Sequence, residues 1–151
     1  DRLDESWPYK LLYSSRRCLI PASGFYEWKR TGKDGNKRVP HLIRLKDNAP
    51  FTFAGLWDLW KDPQGNKVLS CTIVTTSANE LVRGIHERMP VILPTDARHS
   101  WMESHDLSIG EARELCLPYD PNEMQMYEVS KEVDQISSEG PELINPVFHS
   151  H

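Results

Sequence analysis

At 151 residues, with 38% hydrophobic and 26% charged residues, the chain suits one compact domain spanning 1–151. No apolar run approaches the roughly 20 residues of a membrane-crossing helix, and DRLDESWPYK at the start shows no secretory pattern, so a cytoplasmic protein is expected. The net charge of −4 conceals an asymmetry, because residues 1–46 hold 11 Lys or Arg against 5 Asp or Glu and the remainder 7 against 17; the first part can carry a local positive field, or be only a solvated, lysine-rich hairpin.

Residues 1–15 are polar with scattered aromatics and read as an irregular or short helical lead-in. RRCLIPASGFYEWKR then predicts extended pieces over 17–20 and 25–30, with Pro21 and Gly24 marking a bend between them. Asp34-Gly35 in TGKDGNKR predicts a hairpin, VPHLIRL returns as a strand and KDNAP turns again. FTFAGLWDLW and VLSCTIVTT, rich in aromatic and β-branched residues, form the next hairpin across Pro63 and Gly65. Phe51, Phe53, Trp57 and Trp60 are expected in the core.

Downstream, Ser77 or Asn79 can cap a short helix over ANELVRGIH, whose Leu81, Val82 and Ile85 recur at helical spacing. RMPVIL reads as a short strand. Thr95 is expected to cap a helix over PTDARHSWME, and Ser108 with Glu111 forms a capping-box pattern for another. One strand near 126–130 precedes a loop-rich finish. Consecutive hairpins with short peripheral helices predict an α+β domain on a mainly antiparallel sheet curled toward a barrel.

Glu27 stands among Phe25, Tyr26 and Trp28. On a strand it shares a face with Phe25, where a carboxylate is paired, kept protonated or used in chemistry. His86, in GIHERMPVIL, falls in a tight connection and is a natural proton carrier, or a helix-end histidine bonded to carbonyls. Arg83 and Arg88 could hold an anionic group such as phosphate, or pair with Glu80 and Glu87. Trp28, flanked by Glu27, Lys29 and Arg30, is a candidate for stacking on a nucleobase, with core packing as the alternative. Cys18, Cys71 and Cys116 are widely spaced, without a CxxC pair, and are expected to be reduced and mostly buried. Neither a nucleophile elbow, a phosphate-binding glycine loop nor metal ligands at convincing spacing occur, so no cofactor is expected.

Taken in order, RRCLIPASGFYEWKR, VPHLIRL, FAGLWDLW, TIVTTSAN, IHERMPVIL, Val129-Ser130 and GPELINPV resemble the SRAP family, the SOS-response-associated peptidase-like proteins. The resemblance implies a β-rich α+β fold with a barrel-like core and a positively charged groove for single-stranded DNA. It further implies covalent capture of abasic sites by an N-terminal cysteine, which forms a thiazolidine with the open-chain sugar aldehyde. Glu27 and His86 match the family's catalytic glutamate and histidine, Arg88 matches a position holding DNA phosphate, and Thr75 and Trp28 fall near the DNA.

Relatives begin Met-Cys-Gly-Arg and carry an Asn-Ala-Arg block that has no counterpart here, so this chain is expected to be the C-terminal two-thirds of an SRAP-like domain and not itself to form the adduct. Cys18 cannot stand in, because its amine is part of a peptide bond. The expected partner is single-stranded DNA containing abasic sites, with a monomer as the default and no membrane. Alternatives are a noncatalytic single-stranded-DNA-binding relative and a peptidase that removes its own initiator Met with the same Glu27 and His86.

Overall fold

The computed structural model describes residues 13–32, 34–103 and 107–148. Most of the predicted lead-in lies outside these residues; of it, 13–15 are helical. In chain order the strands are β1 (Arg17–Ala22), β2 (Phe25–Thr31), β3 (Lys37–Leu45), β4 (Phe51–Lys61), β5 (Lys67–Ile73), β6 (Thr75–Ser77), β7 (Arg88–Pro90) and β8 (Ile92–Leu93), followed by α1 (Thr95–Glu103), α2 (Ile109–Leu115) and β9 (Met124–Glu128). The fold is α+β with antiparallel strand pairs, as expected. Both hairpins form where their turns were placed, but the run of neighbouring strands does not: β1 pairs with β4 and β3 with β9, giving separate sheets rather than one meander. None of the three sheets, the third being the β6–β7 pair, closes into a barrel among the described residues.

The chain divides into two compact units. The first comprises the chain up to Ala22, Phe51–Ser77 and Pro90–Tyr119. Its centre is β4, which pairs along one edge with β1 and along the other with β8 and then β5. Between those two partners the ladder is bridged by Ala54 donating to Val91 O (2.9 Å) and Val74 donating to Ala54 O (2.9 Å). Val91 in turn donates to Val74 O, which explains why the predicted RMPVIL strand is broken at that residue. One face of β4 presents Ala54 and Leu56 to a core of Val74, Val91, Leu93, Trp101, Leu107 and Ala112.

Trp101 is fully buried and ties α1 to β1. Its indole N–H donates to Cys18 O (3.0 Å), and its own carbonyl accepts from Arg17 Nε (2.6 Å). Arg17 is itself buried and donates further to the carbonyls of Tyr13 and Ser14, so backbone oxygens hold this cation on several sides. Burial pulls its guanidinium below the ordinary value.

Two helix-start expectations separate here. Ser108 and Glu111 do form the capping box of α2. For α1 the first helical bond runs from Arg98 N–H to Pro94 O, so Pro94 holds the cap position and Thr95 is already inside the helix. Phe51 and Phe53 are buried and meet edge to face at 5.1 Å, whereas Trp60, expected in the core, is 48% exposed and Trp57 is half-buried. The β4–β5 ribbon runs past the end of β1, where Lys61 and Lys67 close the ladder, and no further strand pairs there among the described residues.

The second unit comprises Ser23–Pro50, Ala78–Met89 and the chain from Asp120 onward. Its sheet has the order β2-β3-β9, and β9 ends at Glu128 rather than at residue 130. Pro40 sits in the middle strand without breaking the sheet: Val129 N–H still donates to Pro40 O (3.1 Å), and the missing donor falls just beyond the end of β9. Asn48, with φ 59°, and the Asp47 side chain, which accepts from Ala49 N–H, close the turn out of β3.

Candidate functional site

The hairpin turn fixes where Glu27 lies. Gly32 (φ 88°) and Gly35 (φ 63°) take left-handed conformations that other residues resist, and Gly35 N–H donates to Gly32 O (3.1 Å). This sets Thr31 opposite Lys37, and the period-two ladder then places Glu27 opposite His41. On the other side of β3, His41 faces Glu128 of β9, so one row across the sheet reads Glu27, His41, Glu128. All three are half-buried. His41 Nδ1 donates to Val39 O (2.9 Å), so its Nε2 is the ring nitrogen left for another partner. The Glu27 carboxylate bonds to no described residue.

The opposite face of β2 carries Tyr26 and Trp28. Trp28 is half-buried, and its indole N–H donates to Asp134 Oδ1 (2.6 Å), which fixes the ring. Tyr26 lies across from Leu42 and, beyond it, Tyr127, whose hydroxyl donates to Ile144 O (3.0 Å). Burial, and then the Tyr127 phenol, push the Tyr26 phenol above its ordinary range.

His86 is held by a short, tightly bonded loop. The helix expected over 78–86 shrinks to a single 3₁₀ turn, Val82–Gly84; the Asn79 side chain accepts from Val82 N–H (3.0 Å) at its start, and Ile85 and His86 both donate to Val82 O at its end. Ala78 N–H to Glu87 O (3.0 Å) closes the base. Asn79 is buried; its backbone N–H rests on the sulfur of Met89 (3.3 Å) and its side-chain amide on that of Met124 (3.2 Å). The sequence proposed Asn79 as a cap; that it organises the whole histidine loop was not visible there. His86 is exposed, and its Nδ1 lies 2.8 Å from Arg88 O and 3.1 Å from Arg88 N. With Nδ1 protonated the ring donates to the carbonyl, and with Nδ1 bare it accepts from the amide, so in either tautomer the same residue's backbone holds it and Nε2 points away.

Arg88 opens β7 and is half-buried, while exposed Arg83 reaches Ala78 O (3.4 Å) rather than forming an ion pair with Glu80 or Glu87. The second unit thus holds Glu27, Trp28, His86 and Arg88. No hydrogen bond or ion pair joins Glu27 to His86 among the described residues. Thr75 is exposed and lies in the first unit.

Cysteine chemistry is confined to the first unit. Cys18 and Cys71 line an apolar cavity of about 610 Å³ with Ile20, Trp57 and Leu69. Glycine is required at position 55 because a Cβ there would stand 2.7 Å from the Cys18 sulfur. The expectation of mostly buried thiols fails for Cys71, which is exposed because β5 is exposed along its whole length apart from the half-buried Val68. Burial, and then Cys71, push the Cys18 thiol up, and burial alone pushes Cys116 up to about 11. At pH 8 Cys116 is then about one thousandth thiolate. Peptide mass spectrometry after brief iodoacetamide treatment should find Cys71 alkylated first and Cys116 last; equal rates would contradict this shielding.

An α+β protein that sets a carboxylate in an aromatic strand and a backbone-clamped histidine in a bonded loop, with an arginine two residues on, has side chains of the types that can carry protons and hold an anion. The family model for the SOS response associated peptidase (SRAP) matches residues 1–136, and the chain belongs to this family. It is 40% identical over 144 residues to the abasic site processing protein YoqW of Bacillus subtilis, covering 95% of this chain and 63% of that one. It is 31% identical to the abasic site processing protein HMCES of Gallus gallus, covering 90% of this chain and 45% of the relative. The chain therefore spans less than two thirds of the length of either relative. Among solved structures, a protein from Bacteroides thetaiotaomicron superposes with a TM-score of 0.87 at 27% identity, covering 97% of this chain and 63% of that one.

Proposed function

We propose that this chain carries the proton-transfer and DNA-holding residues of a protein that captures abasic sites in single-stranded DNA. The observation that carries the reading is the His86 ring, held through Nδ1 by the Arg88 backbone with Nε2 pointing away from it. The names of the relatives and the half-buried Glu27 in an aromatic strand support it. In this reading the nucleophile is an N-terminal cysteine in the part of the relatives' length that this chain does not span. Its α-amine attacks the sugar aldehyde, water leaves as the imine forms, and the thiol adds to the same carbon to close the thiazolidine. Glu27 gives and takes the protons of dehydration and ring closure, His86 assists sugar ring opening, and Arg88 holds a flanking phosphate. Trp28 lies along the DNA strand.

The test is a denaturing gel of an abasic-site oligonucleotide incubated with the product of the complete gene, beside the 151-residue chain. A denaturation-resistant band with the complete product, and only salt-sensitive binding by the shorter chain, is expected. Absence of such a band from folded complete product would leave a noncatalytic DNA-binding relative or a self-processing peptidase.

A further inference from the structure

The β2–β3 hairpin carries a charge arrangement that folding alone does not explain. Arg30 stands directly opposite Arg38, and cations in that relation on one face repel. Lys29 and Lys37 lie beside them on the other face, and all four side chains are exposed. None of these four side chains bonds to any described residue. Asp34, in the turn, is the carboxylate of the connection.

On the Arg30 face the next residues along β2 are Trp28 and Tyr26, the first with its ring fixed by Asp134 and the second opposite Leu42, with Tyr127 one strand further on. Successive same-face positions on a strand are about 6.6 Å apart. Two rings, one of them anchored, and a pair of guanidinium groups with no ion pair among the described residues therefore form one continuous path. An acidic peptide could satisfy the cations but gives the rings nothing flat to stack on, whereas single-stranded nucleic acid offers both phosphates and bases.

We infer that the tip of the β2–β3 hairpin is a further DNA-binding surface, in which Arg30 and Arg38 grip the phosphodiester backbone of the strand whose bases lie on Trp28 and Tyr26. This rests on the proposed DNA reading and extends the contact beyond Glu27, His86 and Arg88 to the undamaged strand alongside the lesion.

The test uses fluorescence anisotropy of a labelled, undamaged oligothymidine with the 151-residue chain, its Arg30→Gln/Arg38→Gln variant and a Lys61→Gln/Lys67→Gln control. The control also removes two facing cations, from the β4–β5 ribbon, where Asp58 and Asp62 stand close by in sequence. Because removing facing cations relieves repulsion, the arginine variant should melt at or above the parent temperature. Its affinity at low salt should fall by about tenfold or more, and the slope of log affinity against log salt should shrink by about 1.4, the share of two single-strand phosphate contacts. The lysine control should bind like the parent. Parent-like affinity and slope in the folded arginine variant, or an equal loss in both variants, would overturn the hairpin proposal while leaving the wider reading intact. Absence of binding by the parent itself would overturn both.

Discussion

Replacing Trp101 by alanine is expected to destabilise the first unit by about 3–5 kcal/mol, the cost of deleting a large, fully buried aromatic side chain that its surroundings cannot fill. Stacking and hydrogen bonding add to the cavity. The ring meets Tyr13 edge to face at 6.1 Å, and its N–H satisfies the Cys18 carbonyl. The loss is a large fraction of the roughly 5–15 kcal/mol that holds a typical domain together. Trp60→Ala is the matched control: the same residue type, 48% exposed, is expected to cost far less. Urea unfolding followed by circular dichroism decides the matter, and equal midpoints for the two variants would show that Trp101 is not the anchor described. Trp101→Phe should fall between them, since it keeps much of the ring volume and removes only the donor to Cys18.

That contrast between two tryptophans also marks the limit of reading this chain from its sequence. Alternation along FTFAGLWDLW shows which residues share a face, but not whether another layer covers that face. Trp60 therefore looked as buried as Phe53, although only Phe53 lies where β4 is flanked on both edges, by β1 and β8. The hairpins were legible because Asp34-Gly35 and Pro63 with Gly65 are local turn chemistry. The pairing of β1 with β4 was not, because it joins residues as distant in the chain as Arg17 and Leu56, and no local signal ranks it above pairing with β2.

The site divides in the same way. Once the hairpin was centred on its turn, the Glu27–His41 row followed from counting, and it could have been read in advance. Glu128 could not, since β9 joins that row only through the tertiary fold. Likewise Leu81, Val82 and Ile85 gave a true helical period, but the backbone leaves the helical region at Ile85 (φ −129°), so a single 3₁₀ turn exhausts it. The outcome is a more confined histidine than a regular helix end would give.

In the product of the complete gene, Glu27→Gln and His86→Ala are each expected to slow adduct formation on abasic-site single strands by about 10²–10⁴-fold, the range of a positioned proton-transfer group. Glutamine keeps the shape and hydrogen-bonding capacity of Glu27 but cannot exchange its proton, and His86 is exposed, so neither change should unfold the protein. Noncovalent affinity for undamaged strands should change little, which separates a chemical defect from a binding one. If the two groups serve the same sequence of proton transfers, the double variant should be barely slower than the worse single, because such effects do not add. Asn79→Ala supplies the third comparison. It leaves both proton-transfer groups in place but removes the side chain that holds the histidine loop, so it should slow the reaction less than His86→Ala and lower the melting temperature more. Full-rate adduct formation by Glu27→Gln would remove its assignment as proton carrier, and full rate with His86→Ala would reduce the backbone-clamped ring to a loop fastening.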